Sequence, residues 1–255
     1  MDKTFLKSLE RNIKNKFAYL PCHHKPISSR NNIVSIDSGL NSSMFNIIYC
    51  DGEITSISIT KTIEYFRSKK LPFAFWIGFE NEPAWLEDEL QSLGLTTDEK
   101  ESLMICSLLH LQPREPQSLV TIKQILDKAG IDDFILVLKA ILPADEHAAI
   151  KTFYEQFSDA ILTSNSDLKY FIAYINDKPV ATSSLFCDNK VSSIFDVIVL
   201  PELRGKGLGK LMTEQAMLYA KEKGFEYTIL TATNDAKYMY QKLGFRHLKT
   251  LKVYQ

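Results

Sequence analysis

The stretch Ser193-Ile194-Phe195-Asp196-Val197-Ile198-Val199-Leu200-Pro201-Glu202-Leu203-Arg204-Gly205-Lys206-Gly207-Leu208-Gly209-Lys210-Leu211-Met212 joins a strand, a basic glycine loop and the start of a helix. Ile194 to Leu200 are branched or aromatic apart from one acid, as a buried strand requires. Pro201 has no N–H to donate and ends the pairing. Gly205, Gly207 and Gly209 let the backbone turn sharply and come close to a ligand. The helix that follows offers free N–H groups and the positive end of its dipole, and Arg204, Lys206 and Lys210 add charge. Such a loop suits a diphosphate.

Two common diphosphate loops do not fit. A Walker loop needs Ser or Thr after Gly-Lys, and here Gly209-Lys210 is followed by Leu211. A dinucleotide fingerprint spaces its glycines G-x-G-x-x-G, whereas these run G-x-G-x-G, and no acid closes the next strand, Tyr227 to Thr233. The string Arg204-Gly205-Lys206-Gly207-Leu208-Gly209, after a strand ending Val199-Leu200-Pro201, reads Arg-x-x-Gly-x-Gly. It resembles the acetyl-CoA loop of the GNAT (GCN5-related) N-acetyltransferases.

The family's second signature, Asn-x-x-Ala-x-x-x-Tyr-x-x-x-Gly-Phe, is matched by Ala236, Tyr240, Gly244 and Phe245 at their mutual spacing. Asn234 lies one place too close, and Thr233 stands where the asparagine is expected. The resemblance implies an α/β (α+β) fold, a mixed, mostly antiparallel sheet flanked by helices. It implies transfer of an acetyl group from acetyl-CoA to an amine by direct attack in a ternary complex, with no metal. It implies that Val197, Ile198 and Val199 offer backbone groups to the pantetheine arm, with an N–H near Ile198 polarising the thioester. The loop from Arg204 through Gly205, Lys206, Gly207 and Leu208 to Gly209 would hold the pyrophosphate, and Asn234 would touch the arm. Tyr240 would donate a proton to the departing thiolate. A thiol of pKa ~8.5 and a phenol of pKa ~10 make that exchange workable. The attacking amine must lose a proton, and Asp196, the one carboxylate inside the strand, is the candidate base or substrate anchor. Glu202 in the loop, and Glu155 and Asp159 on a long helix, are further carboxylates on offer.

The rest of the chain repeats this pattern without its chemistry. Phe45-Asn46-Ile47-Ile48 mirrors Phe195-Asp196-Val197-Ile198, and Leu90-Gln91-Ser92-Leu93-Gly94-Leu95 mirrors Tyr240-Gln241-Lys242-Leu243-Gly244-Phe245, both at an offset of 150 residues. The order strand, helix, strand, helix, Gly, strand runs through both halves. The first half carries Asp51-Gly52-Glu53 in place of the basic loop and Leu90 in place of Tyr240. It resembles the degenerate N-terminal half of tandem GNAT proteins. The prolines of Gln112-Pro113-Arg114-Glu115-Pro116 mark a linker. The expected domains are therefore 1–115, degenerate, and 116–255, catalytic.

Helices are expected over 3–19, 53–70, 123–129, 131–141, 144–163 and 207–223, with Asn81 capping another that carries Trp85 on its apolar face and stops at Gly94. Asn176-Asp177-Lys178 predicts a hairpin turn. Trp76 and Trp85 are expected in the core.

With 255 residues, 45% hydrophobic and 24% charged, the chain has an ordinary globular composition. Its net charge of −1 selects neither nucleic acid nor a membrane surface. No apolar run approaches the ~20 residues of a membrane span, and the first residues lack a signal-peptide core, so the cytoplasm is the expected location. The four cysteines form no C-x-x-C pair and read as free thiols, and Cys22-His23-His24 has no further ligands in range for a metal. The expected partner is a small-molecule amine, with the first half closing one side of its cleft. The competing class is a non-catalytic CoA-binding regulator or scaffold, which would keep the loop without turnover.

Overall fold

The computed structural model describes residues 3–23, 28–30, 32–50, 54–78, 83–97, 100–112, 119–188 and 191–255. The Asp51-Gly52-Glu53 loop, the Asn81 cap, His24 and the prolines of the linker lie outside the described residues. In chain order the elements are α1 (Lys3–Tyr19), β1 (Ser28–Arg30), β2 (Ile33–Ile36), β3 (Ile47–Cys50), α2 (Ser56–Ser68), β4 (Ala74–Ile77), α3 (Leu86–Ser92) and β5 (Lys100–Ser107). There follow β6 (Thr121–Gln124), α4 (Lys128–Lys139), α5 (His147–Gln156), α6 (Ser158–Leu162), β7 (Leu168–Ile175), β8 (Lys178–Asp188) and β9 (Val191–Val199). The chain ends with α7 (Leu208–Glu222), β10 (Tyr227–Ala232), α8 (Asn234–Lys242) and β11 (Arg246–Tyr254).

The chain packs as two compact units, one of Met1–Leu103 with Leu248–Gln255, the other of Met104–His247. The expected cut between 115 and 116 thus falls inside the second unit, and the last eight residues belong to the first. Most of β11, from Leu248 on, thus belongs to the first unit, and Met104–Ser107 of β5 to the second.

In the first unit the strand order is β1-β2-β3-β4-β11. β3 and β4 run parallel through all four residues of each, from Ile47↔Ala74 to Cys50↔Ile77, and the crossover between them is α2. Thr55 caps α2 and Ser58 returns the bond to Thr55, a capping box that fixes the start of the helix. The helical spacing of Ile59, Ile63 and Phe66 then buries all three against Phe75, Leu86, Leu90 and Tyr254. Val253 and Tyr254 of β11 pair with Trp76 and Phe75. Trp76 is half-buried against Phe17, but Trp85 is not a core residue: it caps α3 at 39% exposure while Leu86 and Leu90 fill the core.

The second unit has the order β5-β10-β9-β8-β7-β6. β10 and β9 are parallel, and β6, β7, β8 and β9 pair antiparallel in turn. Asn176 and Asp177 both have positive φ (49° and 59°), the mirror-image turn whose twist suits a two-residue hairpin between β7 and β8. Strand alternation divides the side chains between two faces. Phe171, Ala173, Ala181, Leu185 and Ile194 pack with Met212, Ala216 and Met217 of α7. Tyr170 faces the other way, edge-on to Phe134 of α4 (4.9 Å) and Tyr154 of α5 (6.0 Å). The long helix expected over 144–163 is broken. Phe157 leaves helical geometry (φ −100°, ψ 10°) to set its ring against Phe153 at 4.8 Å, which separates α5 from α6.

Candidate active site

The second unit's parallel pair opens part way along. β9 pairs with β10 from Val191↔Tyr227 to Ile194↔Leu230 and no further, although β9 continues to Val199 and β10 to Ala232. On its other edge β9 stays joined to β8, but the register shifts between Thr182, opposite Ile198, and Ser184, opposite Phe195. Two β9 residues, Asp196 and Val197, there face the single Ser183, which is a β-bulge. Asp196 holds φ +52°, a left-handed conformation that costs an L-residue about 1–2 kcal/mol and that Asp tolerates better than most. Thr182 Oγ1 donates to its main-chain oxygen (2.9 Å) and Ser184 Oγ to its carboxylate (2.6 Å).

Beyond the bulge the backbone groups sort by side. Leu200 N–H donates back to Val180 O in β8 (3.0 Å), so by strand alternation the N–H of Ile198 also turns toward β8. The N–H and C=O groups of Val199 therefore turn the other way, into the opening. Arg204 Nε approaches Val199 O on that side at 3.4 Å.

The glycine loop lies at the end of this strand. A 3-10 turn (Pro201–Leu203) leads to Gly205 (φ +76°) and Gly207 (φ +84°), and Gly207 is the N-cap of α7 with no side-chain cap bond. A Cβ at Gly205 or Gly207 would meet nothing within 4 Å, so the space beside both is open. Gly209 differs: a Cβ there would come 3.3 Å from Met239 Sδ of α8. Its small size serves close packing of α8 on the first turn of α7. Leu208 is buried, Arg204 and Lys206 are exposed, and Lys210 lies 3.8 Å from Glu214.

Tyr240 is buried on α8, in one cluster with Ile194, Leu208, Leu230 and Ala232, and Val197 and Val199 pack against that cluster. Its ring meets Phe245 edge-on at 5.8 Å. Asn234 is the first residue of α8 and exposed; Thr233 holds the N-cap position without a side-chain bond.

The structure thus places Val197 and Val199 on the strand that borders the opening and Gly205 and Gly207 in the loop that follows it, with Leu208 and Tyr240 in the core. Asp196 is bonded from the α4/α5 face, where Tyr154 stands. Burial pushes the Tyr154 phenol well above its usual range, and the nearby Asp196 charge and Tyr170 push it the same way. Glu155, Asp159 and Glu202 are exposed, and Glu155 pairs with Lys151 at 3.6 Å. Thr182, Ser184 and Tyr154 were not singled out by the sequence: each sits in a segment whose pattern speaks only of strand or helix. Among the described residues no group of three potential ligands could hold a metal, and no helix is long and apolar enough to cross a membrane.

Comparison with known proteins gives this geometry a family. Residues 166–247 match the family model of the acetyltransferase (GNAT) domain. An uncharacterized N-acetyltransferase of Methanocaldococcus jannaschii is 27% identical over 136 residues, which is 49% of this chain and 60% of that protein, so the match leaves a substantial part of the relative uncovered. A GCN5-related N-acetyltransferase from Kribbella flavida has a similar fold, with TM-score 0.72 at 16% identity over 96% of this chain and 94% of that one. A tandem GNAT protein from the clavulanic acid biosynthesis pathway superposes with TM-score 0.56 at 10% identity, covering 82% of this chain and 74% of its own. The opened parallel pair, the glycine loop and the repeated strand–helix–strand order agree with these likenesses: residues 166–247 match the GNAT acetyltransferase domain, and the chain as a whole shares the fold of GNAT proteins, a tandem one among them.

Proposed function

We propose that the second unit transfers an acetyl group from acetyl-CoA to the amine of a small molecule. The observation that carries this is the opening between β9 and β10, ending at two left-handed glycines with open space beside them. An acyl-CoA fits both parts. Its pantetheine arm has amides that pair with strand groups as an added strand would, here with Val199. Its pyrophosphate suits the amides of the loop and of the first turn of α7, with Arg204, Lys206 and Lys210 adding charge.

Acetyl-CoA supplies the thioester; the protein's residues hold and move protons around it. A main-chain N–H in the opening, at Val199, polarises the thioester carbonyl. Asp196 takes the proton that the amine gives up as its bond to the acetyl carbon forms. Tyr240 gives a proton to the sulfur as the carbon–sulfur bond breaks. A carboxylate next to the Tyr154 and Tyr170 rings suits a cationic amine before it is deprotonated.

The test is thermal unfolding with acetyl-CoA against ATP and NADH, followed by thiol release with a panel of amines. A ligand at ~100 times its Kd adds ~2.7 kcal/mol, a shift of several degrees. The expected result is stabilisation by acetyl-CoA alone, and a Tyr240→Phe variant that binds it normally while kcat falls at least tenfold. Stabilisation by ATP or NADH instead would overturn the assignment. Binding of acetyl-CoA with no thiol release from any amine would favour the non-catalytic CoA-binding class.

A further inference from the structure

The strained residue of β9 is held from both ends by the neighbouring strand. Thr182 and Ser184, two apart on β8 and so on one face, are both fully buried. One hydroxyl bonds the main-chain oxygen of Asp196 (2.9 Å) and the other bonds its carboxylate (2.6 Å). These two bonds bracket the place where the β8–β9 register shifts. Only Phe195 separates the bulge from Ile194, the last β9 residue paired with β10.

The first unit is an internal control. There β2 and β3 pair in one unbroken register from Ile33↔Cys50 to Ile36↔Ile47. β3 has no residue of positive φ, and β3 and β4 stay paired to their ends. Gly78 N–H even extends the ladder to Cys50 O at 2.7 Å. At the place that Asp196 holds in the repeat stands Asn46, which has no positive φ and whose main-chain oxygen accepts the Ala74 N–H (2.9 Å), and among the described residues the parallel pair there is closed; where the two hydroxyls grip a left-handed aspartate it opens.

We infer that Thr182 and Ser184 are positioning residues, a two-hydroxyl clamp that keeps Asp196 bulged, so that β9 is open for acetyl-CoA and the Asp196 carboxylate is aimed for the acceptor amine. The inference rests on the acetyl-CoA reading above. The two bonds divide the work. The Thr182 bond holds the backbone and so the opening; without it β9 spends part of its time closed, and apparent affinity falls by the fraction still open. The Ser184 bond orients the carboxylate and acts on the proton transfer.

The experiment compares Thr182→Val, Thr182→Ser, Ser184→Ala and Ser184→Thr with wild type in acetyl-CoA binding by calorimetry and in steady-state kinetics, with circular dichroism to confirm folding. Thr182→Val is expected to bind acetyl-CoA roughly tenfold more weakly, with Thr182→Ser close to wild type. Ser184→Ala is expected to keep its acetyl-CoA Kd within about twofold while kcat falls roughly tenfold, with Ser184→Thr recovering most of it. Folded Val and Ala variants that match wild type in both readouts would overturn the clamp. So would a Thr182→Ser variant as weak as Thr182→Val, since a side chain that keeps the hydroxyl would then not keep the binding. A wild-type protein that binds no acetyl-CoA would instead sink the acetyl-CoA reading and the clamp's purpose with it, and is distinguished because no variant comparison is involved.

Discussion

Removing the ring of Tyr254 tests whether the end of the chain is part of the first unit. Tyr254 is fully buried, pairs with Phe75 and packs in the cluster of Ile59, Ile63, Phe66, Leu86 and Leu90. The neighbouring Gln255 exchanges two backbone bonds with Thr96, each 2.9 Å, and Lys252 reaches Glu87 at 2.7 Å, so the strand is fixed along its length. Truncating a fully buried aromatic to Ala costs about 3–5 kcal/mol, against a total of roughly 5–15 kcal/mol for a domain. With a urea slope of about 2 kcal/mol/M, Tyr254→Ala should lower the midpoint by roughly 1.5–2.5 M. The assay is tryptophan emission excited at 295 nm. The chain has two tryptophans, and Trp76 and Trp85 both belong to the first unit, so the signal reports that unit alone. A midpoint that stays within about 0.3 M of wild type would refute the exchange of strands. A chain ending at His247 sharpens the test: it should lose the cooperative tryptophan transition, whereas a first domain made of 1–115 alone would keep it.

Gly207→Ala should cost about 1–2 kcal/mol of stability and weaken acetyl-CoA binding about tenfold, because a Cβ there meets nothing but the left-handed backbone (φ +84°) resists it; thermal unfolding and calorimetric titration check this. Native thiol titration at pH 8 should find one fast thiol, Cys22, which is exposed. Cys50 and Cys106 are buried, and burial together with the Asp167 charge pushes the half-buried Cys187 thiol up to about 12, so that almost none of it is thiolate. A second fast thiol would contradict that packing. Burial works against ionising Asp37, but hydrogen bonds from Lys69, Tyr65 and Gly39 outweigh it and hold the carboxyl below its usual range. A depressed carboxylate stabilises above its unfolded pKa of ~3.9 and loses that contribution as pH falls through its folded value. Asp37→Asn should therefore lower the tryptophan-detected stability slightly at pH 7, by less than about 1 kcal/mol for a pair whose lysine is half exposed, and leave it unchanged near pH 2.

Local pattern carried the sequence a long way. A branched strand, Pro201, a glycine loop and an amphipathic helix define the β9–α7 crossover, and each feature acts within a few residues of itself. Asn176-Asp177 foretold a mirror-image turn for the same reason. What local pattern does not encode is which sheet a strand joins. β5 and β11 have ordinary strand sequences, and nothing within either one states that residues 248–254 complete the first unit or that 104–107 belong to the second. Trp85 misled because an apolar residue near a helix start satisfies helical periodicity, while the buried stripe is filled by Leu86 and Leu90. The bulge was hidden for a further reason. Asp196 is a residue type that permits a left-handed backbone, but the register of β8 decides that it adopts one.

Asn46 and Asp196 occupy the same place in the repeat, and their surroundings use them in opposite ways. Asn46 is fully buried. Its two amide hydrogens are shared among Leu40 O (2.8 Å), Ser42 O (3.0 Å) and Pro72 O (2.8 Å), and its side-chain oxygen accepts from Ser38 N (3.0 Å) and Ser38 Oγ (2.9 Å). An amide can do this because it both donates and accepts; a carboxylate in the same nest would face three carbonyl oxygens with no proton to offer. Asn46→Asp should therefore destabilise the first unit by several kcal/mol, with the loss easing at low pH where the acid is protonated. Asp196 receives hydroxyls from one side only and keeps carboxylate capacity to spare. One position became a structural staple and the other kept a group able to take a proton.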